Sequence, residues 1–160
     1  MNSRVDGRVA GRAPAHKSKT AATWIALIGG GLGLHRFYLY GRRDVWGWLH
    51  PLPFALGLYG LRRVERLGQD DMLSWVLIPL LGLVLAASML TAIVYGLLPD
   101  ERWDVRHNPH GPASPASGWA AVIGVVLALF FGAGVLMATL AFSTQRYFEW
   151  QVEEGRRISQ

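Results

Sequence analysis

A histidine and an arginine directly follow a glycine-rich stretch near the start of the chain, in the segment LIGGGLGLHRFYLYG over residues 27–41. Glycine loops can bind the phosphates of a dinucleotide, and the corresponding motif, G-x-G-x-x-G, joins a strand to a helix. Its third glycine is missing here, since Leu34 takes that place when the motif begins at Gly29, and Arg36 when it begins at Gly31. Another apolar stretch follows instead of a βαβ unit, so these residues argue against a nucleotide site.

His50 is a second candidate for chemistry, because it is the only ionisable residue well inside an apolar stretch. Ionisable groups at membrane depth often mark transport paths, so this histidine could carry a proton or bind an anion. Such a residue also commonly faces a neighbouring helix, where a backbone carbonyl satisfies its ring. A proton relay needs a series of groups, and a lone histidine does not predict one.

Three potential metal ligands, Asp104, His107 and His110, occur together in the segment DVRHNPH. Zinc accepts imidazole and carboxylate ligands, usually four in a closed structural site. The segment contains a proline, so its spacing does not place the three side chains on one face, and no fourth ligand is evident. We therefore predict no metal site, no cofactor and no catalytic residues, and an enzyme is the least favoured class.

The composition indicates a membrane protein. Of the 160 residues, 51% are hydrophobic and 17% are charged, whereas a soluble domain has about 25% charged residues. Seven tryptophans and nineteen glycines fit the residue usage of membrane spans and their interfaces. Cysteine is absent, which excludes disulfides and thiol chemistry. The net charge of +5 suits an anionic lipid surface; the basic tail lacks interleaved aromatics, so no nucleic-acid partner is predicted.

Four apolar stretches follow the basic first nineteen residues, which we predict to be a disordered cytoplasmic tail. A helix needs about 20 residues to cross the hydrocarbon layer. The third and fourth stretches exceed that length without a charged residue, while the first two are near the lower limit. The sequence predicts an all-α integral membrane protein, in which four transmembrane helices form two hairpins from residues 20–34, 45–61, 72–98 and 119–143.

The distribution of lysine and arginine predicts the orientation, because these residues collect in short cytoplasmic loops. If all four stretches cross and both termini are cytoplasmic, eleven basic residues lie inside and five outside. The bias vanishes if the second stretch does not cross, and a re-entrant hairpin built from the first two stretches stays open. No internal repeat is convincing. The predicted organisation is the tail, 1–19, a hairpin, 20–66, and a second hairpin, 67–160, with an external loop, 99–118, and a short amphipathic C-terminal tail.

The segment GGLGLHRFYL, residues 30–39, resembles the signature of the TM-two domain, a two-helix membrane hairpin found in many bacterial proteins. The resemblance covers residues 17–62. It departs from the family where Tyr40 precedes Gly41, and where the tryptophan and aspartate that commonly end the second helix are replaced by LYGLRRVERL, with no aspartate until Asp70. It implies a membrane hairpin and no particular reaction. The motif is expected to form an interfacial turn, in which the arginine head reaches the lipid headgroups; its residues are Gly30, Gly33, His35, Arg36, Phe37, Tyr38 and Gly41.

Small residues recur every four positions along the fourth stretch. On a helix this spacing places them on one slowly drifting face, and a face without bulky side chains lets another helix approach closely in lipid. The third stretch offers matching pairs, Gly82 with Ala86 and Ser88 with Ala92. We predict that the third and fourth helices pack along these positions, either within the chain or between copies. Val125 and Phe130 are expected off the interface, and the residues expected on it are Ala120, Gly124, Ala128 and Gly132.

Together these features predict a multi-pass protein of the bacterial inner membrane with a non-enzymatic role in helix packing, interaction or scaffolding. Its expected partners are the lipid bilayer and copies of itself or other membrane proteins, and no small-molecule substrate is identified. A small transporter or channel component is the alternative, with His50 and the region of Arg36 lining a path. Ion flux in liposomes would favour the alternative, whereas co-purification of partners without flux would favour the scaffold.

Overall fold

The computed structural model describes residues 16–159, and this part of the chain is all-helical. The all-α prediction is therefore confirmed. The predicted disordered tail lies outside the described residues up to position 15, whereas residues 16–19 make defined contacts with the helices. The described part contains a 3₁₀ turn (Gly30–Leu32) and seven α-helices, which are α1 (Lys19–Gly29), α2 (Leu34–Tyr40), α3 (Val45–Leu49), α4 (Pro51–Leu67), α5 (Met72–Leu97), α6 (Asp100–His107) and α7 (Trp119–Ile158).

Two of the described helices, α5 and α7, are long and apolar enough to cross a membrane. They contain 26 and 40 residues and run antiparallel, with Gly96 beside Val125 and Gly82 beside Thr139. At about 1.5 Å per residue, α5 is roughly 39 Å long, which exceeds the hydrocarbon layer of about 30 Å. α7 continues without a break to Ile158, through the residues of the predicted amphipathic tail.

The first apolar stretch does not form one spanning helix, because its glycines reverse the chain. α1 ends at the 3₁₀ turn, and Gly33 takes a left-handed conformation with φ of 73°, which glycine adopts at no steric cost. α2 then returns toward the start of α1. There the Ser18 amide donates to the Tyr38 hydroxyl over 2.8 Å, and the Lys17 ammonium donates to the Leu39 carbonyl. α1 and α2 therefore form a short helical hairpin.

The second apolar stretch is divided by His50 into α3 and α4, and α4 packs antiparallel on the first half of α5. Glycines permit the close approach: a methyl carbon on Gly60 would lie 2.6 Å from Leu77 Cβ, and Gly57 abuts Leu81. α1 packs on the second half of α5. α1 and α4 together thus follow α5 from one end to the other, with the α2–α3 segment inserted at mid-length.

The start of α1 lies at the same end of the bundle as α6. The Lys19 ammonium is 2.6 Å from an Asp100 carboxylate oxygen and donates to the Leu98 carbonyl over 2.8 Å. Four crossings with both termini cytoplasmic would place these residues on opposite sides of a membrane, so this contact does not support that expectation. The physical reason is the glycine turn, which sends α2 back so that α1 to α4 advance along α5 only once.

A short helix, α6, occupies part of the segment expected to be an external loop, 99–118. Its first turn is acidic and its last turn basic, which complements the helix dipole. Trp103 is fully buried against α1 at Ala22, and its indole Nε1 donates to the Lys17 carbonyl over 2.7 Å. The loop prediction is therefore wrong for residues 100–107, because one tryptophan anchors an otherwise polar helix to the bundle.

Candidate functional site

Two histidines meet where the α1–α2 hairpin contacts the start of α4. His35 lies in α2 and His50 joins α3 to α4; their ring centroids are 5.5 Å apart, with the ring planes at 79°. The absence of a side chain at Gly33 permits this approach, since a methyl carbon there would lie 2.9 Å from His50 Cβ and 2.7 Å from the Gly47 carbonyl oxygen. The expectation of a lone histidine is wrong, because the pairing depends on the chain reversal between the two rings.

The two rings differ in their hydrogen bonding. His50 Nδ1 lies 2.7 Å from the Trp46 carbonyl oxygen, so Nδ1 donates its proton there and Nε2 is left as an acceptor. His35 is only 4% exposed and meets the Tyr95 ring edge-on, with centroids 6.1 Å apart. Its buried Nδ1 has no hydrogen-bond partner in the described part of the chain. Buried nitrogens of this kind are uncommon, and strain, an ordered water or ion, or a functional role accounts for them; His107 Nδ1 and Arg146 Nε are two others in the described part of the chain.

A cavity of about 300 Å³ opens beside the two rings, between α2, the α3–α4 junction and α5. None of the described residues that line it is Asp, Glu, Lys or Arg. The hydroxyls of Ser88 and Thr91 donate within α5, each over 2.8 Å, so only their lone pairs remain available to a ligand. The apolar part of the wall comprises Trp46, Leu49, Leu52, Pro53, Val84 and Ala87.

Arg36 does not line this cavity but closes the turn between α2 and α3. Its guanidinium binds the Asp44 carboxylate, through Nε at 2.6 Å and through Nη2 at 3.2 Å, and lies 5.1 Å from the centre of the Tyr40 ring. Asp44 also caps α3, since the Gly47 amide donates to it over 3.0 Å. The arginine is thus held by an internal ion pair rather than extended toward lipid headgroups.

The other residues of the expected interfacial turn support the hairpin. Gly30 abuts α5, where a methyl carbon would lie 2.6 Å from Ser88 Cβ. The Phe37 ring covers Gly47, where a methyl carbon would lie 2.7 Å from its Cε1. Gly41 has a φ of 81° and permits the chain to leave α2. The motif residues therefore form the turn between α1 and α2 and the corner between α2 and α3.

The α2–α3 corner is repeated at the α4–α5 corner, 27 positions later. In both corners an arginine pairs with an aspartate eight positions on, an intervening glycine has a positive φ, and a tryptophan indole donates to the carbonyl six positions before it. Segments 30–48 and 57–75 are identical at seven of nineteen positions. The prediction of no convincing repeat is therefore wrong. In the sequence, the repeat is visible as the spacing G-x2-G-x2-R-x4-G-x2-D-x3-W, which both segments share. The second copy comprises Gly57, Gly60, Arg63, Gly68, Asp71 and Trp75.

The small residues of α7 face two different helices. A methyl carbon on Gly124 would lie 3.1 Å from Thr23 Cγ2 of α1, and one on Gly132 would lie 2.8 Å from Met89 Cβ of α5. Ala120, at the start of the series, is exposed. The small-residue face thus follows α1 first and α5 further along, as its slow drift around the helix requires.

At mid-length, α1, α5 and α7 meet through Ala26, Ala92 and Ala128, which are all fully buried. Further along, Gly82 of α5 abuts Thr139 of α7. Ser88 faces Gly30 instead of α7, Ala86 is half-buried, and Val125 contacts Gly96. The expectations that Ser88 faces the fourth helix and that Val125 lies off the interface are therefore wrong.

The three potential metal ligands near α6 do not converge. Asp104 accepts from the Ser114 amide over 2.6 Å, the His107 ring stacks on Trp103 with centroids 4.1 Å apart, and His110 is exposed. Burial lowers the pKa of His107. Across residues 16–159, no group of three or more histidine, aspartate or glutamate side chains is arranged to hold a metal ion.

Comparison of the chain with protein-family models, with curated proteins and with solved structures gives no match. The resemblance of residues 30–39 to the TM-two signature therefore stays a prediction. In the geometry of the described chain, the paired histidines and their cavity are the most distinctive feature.

Proposed function

We propose that the protein is an integral membrane protein in which α5 and α7 cross the bilayer. The outward face of α7 supports this most directly, since Phe130 is 72% exposed and Met137 is 65% exposed. Extended apolar surfaces are uncommon on soluble monomers, whereas lipid provides an apolar solvent for them. Small residues toward the bundle and large apolar residues outward are the usual distribution in membrane helices.

The proposed arrangement has three crossings. α1 and α4 together make the first, with the re-entrant α2–α3 segment between them, and α5 and α7 make the others. Irregular backbone is tolerated at membrane depth where protein buries it, and Gly30, Gly31 and Gly33 are all buried. The N-terminal segment and residues 99–118 then share one side of the membrane, while the end of α7 lies on the other.

The basic residues favour a cytoplasmic location for the side that holds residues 99–118. Ten of the sixteen lysines and arginines belong to this side: five up to Lys19, two in α6, and three in the α2–α3 corner, which lies near the start of α1. The other six belong to the opposite side. Because lysine and arginine collect in cytoplasmic segments, the C-terminal end of α7 is then outside. This is a plasma-membrane, multi-pass topology with its termini on opposite sides.

Cysteine labelling in intact cells tests this topology, and the natural chain contains no cysteine. Single cysteines replacing Ser3 and Ala113 should show the same reactivity toward a membrane-impermeant maleimide, whereas one replacing Gln151 should show the opposite reactivity. Labelling at position 113 with protection at both 3 and 151 would instead support four crossings. The natural chain should remain in the membrane after an alkaline carbonate wash.

We further propose a non-enzymatic role, in which the outward face of α7 binds other helices in the membrane. Phe130 and Phe131 form an edge-to-face pair on this face, with centroids 5.3 Å apart. A photocrosslinking residue at Phe130 should form adducts with a second protein chain, whereas one replacing Trp103, which is buried and already large, should react only within the chain. Ion flux in liposomes without such adducts would support the transport alternative, although His50 and Arg36 do not line one common path.

A further inference from the structure

The cavity beside His35 and His50 combines an apolar wall with polar ring atoms. Its volume of about 300 Å³ lies at the small end of ligand cavities, which range over roughly 300–1,000 Å³. Trp46 and Leu52, two of the residues that line it, are 65% and 61% exposed on the outside of the bundle. In the proposed membrane arrangement this side faces lipid, so a ligand would enter from the hydrocarbon layer.

The lining disfavours a ligand that carries a full charge. None of the described residues in the wall carries a carboxylate, ammonium or guanidinium group, and Arg36, next to His35 in the sequence, is paired with Asp44. A charged ligand would lose its hydration without gaining an opposite charge, and such a transfer is strongly unfavourable. A neutral ligand therefore fits this cavity.

The ring nitrogens favour a hydroxyl group on that ligand. A neutral imidazole has one N–H donor and one nitrogen acceptor. The Nδ1 atom of His35 is enclosed by protein and is not reached from the cavity, so the hydrogen bond to a ligand falls to the other ring. His50 retains Nε2 as an acceptor, because its Nδ1 donates to the Trp46 carbonyl. A hydroxyl group can donate to His50 Nε2, whereas a ketone or ester carbonyl can only accept and would leave this nitrogen unpaired.

We propose that this cavity binds a neutral amphipathic molecule, with its hydroxyl head at His50, beside the His35 ring, and its apolar body against α5. The route of entry rests on the proposed membrane location, but binding itself can be measured in detergent. The histidine pair thereby gains a role that needs no reaction and no metal: it recognises the polar head of a membrane-soluble alcohol.

A photoreactive diazirine derivative of 1-decanol, added to the purified full chain in mild detergent, tests the proposal. Adducts should map to the cavity wall by mass spectrometry. Unlabelled 1-decanol should compete about tenfold more strongly than decane, since one or two hydrogen bonds separate the two compounds. Decanoate should compete weakly because the wall offers its carboxylate no cation. Equal competition by decane or decanoate would overturn the proposal.

Variants of α5 and of the histidine keep the test decisive. Ala87→Trp fills the cavity and should abolish saturable labelling, whereas Leu90→Trp, on the same helix but outside the lining, should preserve it. His50→Phe keeps an apolar ring and should remove the preference for 1-decanol over decane. Labelling that survives Ala87→Trp would refute the site. No saturable labelling of a protein that resists carbonate extraction would refute the ligand and leave the membrane location standing.

Discussion

The alanine contact among α1, α5 and α7 offers a direct test of how the bundle is packed. Ala26, Ala92 and Ala128 are each 0% exposed and come from three different helices. Ala128→Leu would add three carbon atoms where no free volume exists, so the helices must separate or the new side chain must adopt a strained rotamer. Overpacking of this kind costs about 1–3 kcal/mol, and in lipid close packing supplies much of the drive for helices to associate.

The expected size of the effect follows from the length of the chain. For proteins of this size, 1 kcal/mol shifts the unfolding temperature by about 2–4 °C, so Ala128→Leu should lower it by roughly 2–12 °C. Ala133→Leu is the matched control, because Ala133 is exposed on the same helix. An exposed substitution usually changes stability by less than about 0.5 kcal/mol, which corresponds to a shift below about 2 °C.

Thermal unfolding of the purified protein in mild detergent, followed by tryptophan fluorescence, measures both variants under one condition. The comparison depends on the difference between them, so a uniform effect of the detergent cancels. Equal unfolding temperatures for Ala128→Leu and Ala133→Leu would refute the three-helix contact. The packing of α1 between α5 and α7 would then be wrong as well.

Two further predictions concern the charged corners. Asp71→Asn should lower the unfolding temperature, because Asp71 forms the ion pair with Arg63 and caps α5. Asp70→Asn should leave the unfolding temperature nearly unchanged, because Asp70 is exposed. Equal effects of the two substitutions would contradict a stabilising corner. The Lys19 ammonium, together with the hydroxyl and amide of Ser117, lowers the pKa of Asp100 from 3.8 to about 2. The stabilisation from this carboxylate is therefore complete above pH 3.8 and is lost as the pH falls toward 2. The unfolding temperature of the natural chain should therefore decrease more steeply between pH 4 and pH 2 than that of Asp100→Asn, and parallel curves would argue against the ion pair.

The helical class and the two long apolar helices could be predicted from the sequence, because they depend on composition and local periodicity. A run of more than 20 uncharged residues constrains its own structure through length alone. The number of crossings could not be predicted in the same way. It depends on whether the chain continues or reverses after Gly29, and both outcomes contain the same residues and the same hydropathy.

The candidate site was harder to predict because its parts come from different elements. The His35–His50 contact needs the reversal at Gly33, the break between α3 and α4, and the close approach of both to α5. α6 was missed because its stability comes from Trp103 and the Lys19–Asp100 pair, which are tertiary contacts. The repeated corner is visible in the sequence, but its shared residues are spread over nineteen positions. Each copy also extends from one apolar stretch into the next, so the two copies do not coincide with the apolar pattern.

The glycine-rich segment connects the fold to the proposed ligand site. A methyl carbon at Gly31 would lie 2.9 Å from Phe54 Cδ2, and one at Gly33 would lie 2.9 Å from His50 Cβ. The absence of a side chain at Gly31 and Gly33 lets the hairpin turn inside the bundle, and it also sets the distance between the two imidazoles. A glycine substitution would therefore disturb folding and ligand binding together, and only changes in the α5 wall or in His50 can separate the two effects.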